Sequence, residues 1–350
     1  MPKIAVVLFN LGGPDRPESV EPFLFNLFYD PSIVGLPTPA RWLVARLVSK
    51  RRAPVAREIY ARLGGGSPLL ANTRAQAAAL EEALADLGEV RVWPCMRYWH
   101  PMSPEVAAEV RAFGPDRVVL LPLYPQFSST TTASSNRVWR QAAAAVGLDA
   151  PTSLVCCYPT EEGFLSALTE LTRRGIEEAV IGSGGRVPRV LFSAHGLPKR
   201  VVARGDPYPQ QVEETAAAVA QRLGLEAGDW IVCYQSRVGP LEWIGPATES
   251  ELRRAGAERV SAVVVVPIAF VSEHSETLVE LDIEYRDLAK EVGIARYVRV
   301  PTVGTESDFI MGLANQVRAA LAKEGRPVRS QSGPRRCAPD RACCPNRAAA

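Results

Sequence analysis

The chain lacks several features that would commit it to a class. It has no excess of charge of one sign: 40 Lys and Arg against 38 Asp and Glu leave a formal net charge of +2 over 350 residues. A general pull on nucleic acid is therefore not implied. It has no long hydrophobic run; the longest, around 260–271, falls far short of the ~20 residues that span a bilayer. The opening residues 1–10 are too short an apolar run for a secretory leader and read as a buried first strand, so the expected location is cytoplasmic. The triplet Gly64-Gly65-Gly66 has neither the spacing to a Lys-Ser/Thr pair nor the preceding apolar strand of a phosphate loop, so no nucleotide is expected. It reads instead as a turn. Only three histidines are present, so one that falls in a strand-to-helix turn stands out.

What is present is an alternation. Strand-like apolar runs at 4–9, 90–93, 117–121, 189–193, 230–233 and 262–266 are separated by helical patterns such as 75–87, 211–223 and 308–322. Such alternation predicts an α/β fold with a mainly parallel sheet covered by helices on both faces. The chain also resembles itself: Val7-Leu-Phe-Asn-Leu-Gly-Gly-Pro14 pairs with Val190-Leu-Phe-Ser-Ala-His-Gly-Leu-Pro198, and the segment 118–128 pairs with 263–272. Two similar Rossmann-like, doubly wound lobes around a central cleft are expected, residues 1–150 and 151–324, with the boundary near 150–188. Residues 16–58 break the pattern with an apolar pair of helices followed by Lys50, Arg51 and Arg52. This is either an insertion packed on the core or an apolar lip over the cleft that can touch a membrane surface. From Gly325 the composition turns to Arg, Pro, Ser and Ala, which without its cysteines would read as disordered.

Two of the three histidines lie in turns after apolar strands, where open α/β sheets place their ligands. His195 follows 190–194, and Glu273-His274-Ser275-Glu276 follows 262–271. Glu276, Glu280 and Glu284 then recur every four residues along a predicted helix, stacking like charges on one face unless water, protons or cations intervene. A neutral base beside a file of hard oxygen ligands suits proton removal coupled to delivery of a divalent metal. Spacing alone leaves a solvated helix face equally open. His100 reads as structural.

In order along the chain stand Asn10-Leu-Gly-Gly-Pro14, Gly64-Gly-Gly-Ser-Pro68, Met96-Arg-Tyr98 and Leu121-Pro-Leu-Tyr-Pro-Gln-Phe-Ser-Ser-Thr-Thr131. They are followed by Ser193-Ala-His-Gly-Leu-Pro198, Tyr234-Gln-Ser-Arg-Val-Gly-Pro240, Trp243-Ile-Gly-Pro246 and Glu280-Leu-Asp-Ile-Glu-Tyr285. Together these motifs resemble the ferrochelatases, which insert Fe²⁺ into protoporphyrin IX to form haem. The resemblance covers nearly the whole chain. It implies His195 as the essential histidine, taking a proton or holding Fe²⁺, with Glu276 facing it across the ring. It implies a metal or proton path through Glu280 and Glu284 with His274 beside it, and a porphyrin pocket lined by Leu11, Arg97, Tyr98, Trp243 and Phe270. Tyr60, Ser67, Arg51 and Arg52 are implied at the propionates, and Val55 departs from a lysine found in some relatives.

Of seven cysteines, Cys337, Cys343 and Cys344 crowd the last fourteen residues, which in a reducing compartment points to metal ligation. The tail resembles the extension of those ferrochelatases that carry a 2Fe-2S cluster. Cys156-Cys157-Tyr158 matches the body position that supplies the fourth ligand, and Cys157 is the preferred one. Tetrahedral zinc would use the same ligands. Protoporphyrin and Fe²⁺ are the expected partners, with peripheral membrane contact and a homodimer both open. Coproporphyrin as substrate, a non-catalytic haem carrier or sensor, and a periplasmic-type metal-binding protein are the competing readings.

Overall fold

The computed structural model describes residues 1–182, 187–237, 239, 241–322, 327–331, 333 and 335–346. Val238 and Pro240 of the 234–240 motif, residues 183–186 of the expected boundary and parts of the tail lie outside the described residues. The chain divides into two compact units. The first comprises Met1–Cys157, Leu313–Arg336 and the residues from Pro345, and the second comprises Tyr158–Gly312 with Cys337–Cys344.

In the first unit the elements run β1 (Lys3–Asn10), α1 (Val20–Phe28), α2 (Thr38–Ala61), α3 (Leu69–Ala83), β2 (Glu89–Met96), α4 (Ser103–Phe113), β3 (Arg117–Pro122), α5 (Thr132–Val146) and β4 (Thr152–Val155). In the second they run α6 (Glu162–Gly182), β5 (Arg189–His195), α7 (Lys199–Val202), α8 (Tyr208–Leu223), β6 (Trp230–Gln235), α9 (Thr248–Ala257) and β7 (Ala262–Pro267). A wide, π-type helix over Glu276–Glu284 then runs into α10 (Tyr285–Glu291), followed by β8 (Arg296–Arg299). Helix α11 (Ser307–Ala322) carries the chain across the division, and β9 (Val328–Arg329) closes the first sheet.

Both sheets are wholly parallel in their described pairings, in the orders β2-β1-β3-β4-β9 and β6-β5-β7-β8. The first four strands of one order match those of the other position for position. The internal likeness of 7–14 to 190–198 thus corresponds to the two first strands, and that of 118–128 to 263–272 corresponds to β3 and β7. The predicted α/β class with two parallel sheets is the one observed. Central parallel strands are covered on both faces, which explains their unbroken apolar character: β7 is buried from Ala262 to Pro267, and β1 from Ile4 to Asn10. Around β1 the core gathers Val7, Phe9, Leu120 and Trp139; around β5 and β7 it gathers Leu191, Val263, Val265 and Leu281.

Residues 16–58 form the helical pair α1 and α2, whose inner faces pack Val20, Phe23, Leu24 and Ala53 with Tyr60 and Tyr98. The outer face of α2 leaves Trp42, Leu43 and Leu47 exposed. The tail departs from its composition: Val328 and Arg329 pair with Leu154 and Val155, adding an edge strand to the first sheet. Two residues can join a ladder whatever their propensity when a neighbouring edge offers free backbone groups.

Candidate active site

His195 is the last residue of β5, in register with Gln235, the last residue of β6. On the other side of β5 lies β7, and the chain leaving β7 turns through Phe270 into the wide helix that begins at Glu276. Neighbouring strand ends thus bring together residues 81 apart in sequence, and His195 Nδ1 lies 2.7 Å from Glu276 Oε2. Where the resemblance implied Glu276 facing His195 across the ring, the two side chains here are hydrogen-bonded directly.

Each partner shifts the other. Burial alone would raise the Glu276 carboxyl, but the charges of His195 and His274 and the Ser236 hydroxyl pull it down to about 2. Burial alone would lower the His195 imidazole, but the Glu276 carboxylate wins and raises it above 6.5. With Nδ1 engaged by a carboxylate, the neutral ring carries its hydrogen there and keeps a lone pair on Nε2.

The carboxylate file is graded in depth. Glu276 and Glu280 are half-buried, and Glu284 is exposed. Burial and the Glu276 charge hold Glu280 above its ordinary value. Glu280 accepts from the Ser236 amide at 2.7 Å, Gln235 Nε2 at 3.2 Å and Tyr285 Oη at 3.0 Å. The spacing of these glutamates predicted a helix, yet its turns are wider than α: the Tyr285 amide donates back to the Glu280 carbonyl, five residues earlier. Two flanking groups hold this geometry. Tyr297 donates its hydroxyl to the Leu281 carbonyl at 2.7 Å. Arg299 reaches Glu273 at 2.6 Å, just before the segment, and Asp282 at 2.5 Å within it.

His274 is buried, with Nδ1 at 3.0 Å from the Ser272 carbonyl and its ring 4.8 Å from that of Phe270. Trp243 is half-buried close to Gly196, and its buried Nε1 has no partner among the described residues. A Cβ on Gly196 would lie 3.3 Å from the Trp243 ring. The second unit therefore gathers His195, Glu276, Glu280, His274, Phe270 and Trp243 around the ends of β5, β6 and β7.

The first unit gathers the other implied residues. Its 10–14 turn meets the 64–67 turn: the Ser67 amide donates to the Pro14 carbonyl at 2.7 Å. A Cβ on Gly13 would stand 2.6 Å from Ser67 Oγ and 4.0 Å from Tyr60 Oη, so glycine is what lets these turns abut. Leu11 is half-buried and packs with Tyr98 against α1 and α2. Tyr98, expected to line a pocket, is wholly buried, and Arg51 and Arg52 are exposed on α2. Tyr98 is buried in the apolar cluster with Val20, Phe23 and Leu24, and its hydroxyl is satisfied there by Asp30, a residue that nothing in the sequence singled out. Asp30 Oδ2 accepts from Tyr98 Oη at 2.9 Å, from Arg97 Nη2 at 2.7 Å and from Ser134 Oγ; Oδ1 accepts from Arg137 at 2.9 Å and from the Ser32 amide at 2.8 Å. Arg97 also gives Nε to Ser134 at 2.8 Å, and its guanidinium lies 4.7 Å over the Tyr98 ring.

All seven cysteines are free thiols. Cys156 and Cys157 are buried, with their sulfurs 3.5 Å apart. In the second unit Cys337 accepts from Gln211 Nε2 at 3.4 Å, and Cys343 Sγ lies 3.4 Å from the Arg204 carbonyl. Among the described residues no three or more His, Cys, Asp or Glu side chains gather as they would around a metal ion. The donor types suit an iron–sulfur cluster.

Comparison with known proteins adds the following. A family profile described as ferrochelatase matches residues 3–321. The ferrochelatase of Caulobacter vibrioides is 54% identical over 348 residues, covering 99% of this chain and 98% of that protein. That of Hyphomonas neptunium is 50% identical over 350 residues, covering 98% and 94%. Among solved structures, SirB from Bacillus subtilis with Fe³⁺ matches with a TM-score of 0.51 at 12% identity, covering 93% of this chain and 99% of that one, a likeness of fold alone.

Proposed function

The chain belongs to the ferrochelatase family and is an enzyme that inserts iron into a porphyrin, and we propose that it acts on protoporphyrin IX with His195 and Glu276 removing the pyrrole protons. The observation that supports this assignment is the 2.7 Å bond between His195 Nδ1 and Glu276 Oε2. Metallation requires two N–H protons to leave while a hydrated cation sheds water. His195 Nε2 takes a proton, and the imidazolium so formed is stabilised by the carboxylate already bonded to Nδ1. Protons then leave outward along Glu276, Glu280 and Glu284, from the half-buried groups to the exposed one. Phe270 and Trp243 supply apolar surface for the ring, Leu11 and Arg97 further contacts, and Tyr60, Ser67, Arg51 and Arg52 hold propionates. Tyr98 acts through Arg97.

Fe²⁺ is the second substrate. We place the enzyme in the cytoplasm with peripheral membrane contact through exposed Trp42, Leu43 and Leu47 on α2, beside Arg46 and Lys50. Among the described residues no helix is long and apolar enough to cross a membrane. Sedimentation with and without anionic vesicles would read membrane contact and self-association in one experiment. A 2Fe-2S cluster on Cys157, Cys337, Cys343 and Cys344 is the finer proposal for the tail, supported by the donor set alone, and no step of the reaction runs through it. Iron and acid-labile sulfide in protein purified without oxygen would be present in equal amounts and lost in Cys343→Ser.

The deciding experiment mixes protein, protoporphyrin IX and Fe²⁺ without oxygen and follows the porphyrin absorption bands. Repeated turnover to the metalloporphyrin, near-complete loss in His195→Ala and slower conversion of coproporphyrin are expected. Wild-type turnover by His195→Ala would remove that residue from the mechanism.

A further inference from the structure

Among the described residues, two that are not glycine adopt left-handed backbone: Arg259 at φ 55° and Ser236 at φ 59°. Arg259 lies exposed just past the end of α9, where chains leave helices this way routinely. Ser236 has no such excuse. It directly follows β6 and is half-buried, and an L side chain enters this region only when its surroundings dictate it.

What the conformation achieves is visible in its bonds. The Ser236 amide donates to Glu280 Oε1 at 2.7 Å. Its Oγ lies 2.5 Å from Glu280 Oε2 and 3.0 Å from Glu276 Oε2, the same oxygen that meets His195. The neighbouring Gln235, fully buried and held by Ser193 at 2.8 Å, adds bonds to the Glu276 carbonyl at 3.1 Å and to Glu280 at 3.2 Å. Two carboxylates four apart on one helix repel. Here one serine sits between them and gives each a donor.

We propose that Ser236 is a positioning residue for iron insertion: its strained backbone aims an amide and a hydroxyl so that Glu276 and Glu280 are locked to each other and Glu276 to His195. The inference rests on reading Glu276 as a partner in proton removal. A hydroxyl carries one hydrogen, so it serves one carboxylate at a time and turns to whichever is the more negative.

The backbone makes the test sharp. Ser236→Gly removes hydroxyl and strain together, Ser236→Ala removes the hydroxyl and keeps the strain, and Ser236→Thr keeps the hydroxyl. The Gly variant should melt no lower than wild type yet lose about tenfold in kcat, the rate equivalent of one hydrogen bond to a charged group, with porphyrin KM unchanged. The Ala variant should lose as much rate with lower stability, and Thr should recover part of the rate. Wild-type kcat in both Gly and Ala variants, or a rate loss that follows stability alone, overturns the proposal. His195→Ala assayed alongside separates the two claims: if it too stays active, the reading of the site fails first.

Discussion

Replacing Asp30 by Asn removes one charge and almost no volume at the centre of the first unit's polar network. Five donors converge on that carboxylate, from Arg97, Tyr98, Ser134, Arg137 and Ser32. An amide offers one oxygen, so at least the two donors on the other side meet an N–H₂ group instead. Arg137 is half-exposed and contributes little, but the Arg97 side chain is 13% exposed and Asp30 wholly enclosed. Breaking such a buried pair costs about 3–5 kcal/mol, and at about 2–4 °C per kcal/mol the melting point should fall by about 6–20 °C at neutral pH. The pH dependence carries its own sign. Burial pushes the Asp30 carboxyl up, but Arg97, Ser134, the Ser32 amide and Tyr98 hold it below 3.8. Its contribution is therefore fully present above the unfolded value and lost as pH falls through the folded one. In acid the wild type carries a neutral side chain nearly isosteric with Asn, so the gap between the two proteins should close. Scanning calorimetry of both proteins from pH 7 to pH 3 reads this directly. A gap under about 2 °C at neutral pH, or one that stays constant with pH, would refute the account of Asp30 as an ionised hub.

Three further outcomes follow from the second unit. Because Glu276 raises the His195 imidazole above 6.5, the acid limb of kcat/KM against pH should lie above that value, and Glu276→Gln should move it down; a limb unmoved by the substitution would separate the two residues. The stability of the pair should be greatest between the ordinary carboxyl and imidazole values, since Glu276 loses its share as pH falls towards about 2 and His195 loses its share as pH rises past its raised value. Arg299→Met removes the buried cation shared by Glu273 and Asp282, although Asp282 keeps Arg286 at 3.2 Å. It should destabilise the protein by about 3 kcal/mol at pH 7 in urea and by less at pH 4, since Arg299 helps hold Glu273 below its ordinary value against the effect of burial.

Much of this protein can be read without coordinates because some of its physics is local. β1 and β7 are buried on both faces, so their apolar runs are legible as parallel central strands, and the repeat of strand and turn is legible as two similarly ordered sheets. That His195 and Glu276 would stand at strand ends was legible because each follows an apolar run, and such ends are where open α/β sheets place their ligands. The four-residue rhythm of Glu276, Glu280 and Glu284 was legible as one helix face.

The width of that helix was not. It depends on Tyr297 and Arg299 gripping the segment from β8, and no local pattern records those contacts. Nor was the direct bond of His195 to Glu276, which follows from β5 and β7 lying side by side. Asp30 meets Arg97 from 67 residues away and Ser134 from 104, and the backbone of Ser236 is left-handed because two carboxylates from another element wait there. The edge strand at Val328–Arg329 exists because β4 has a free side, not because two tail residues favour extension. Periodicity and composition by themselves determined which segments are helices and strands and how they alternate, since each segment's own residues set those preferences. Where charges converge, which turn is strained and which carboxylate meets which base were decided only in the folded chain, because a hydrogen bond between distant residues has no sequence of its own.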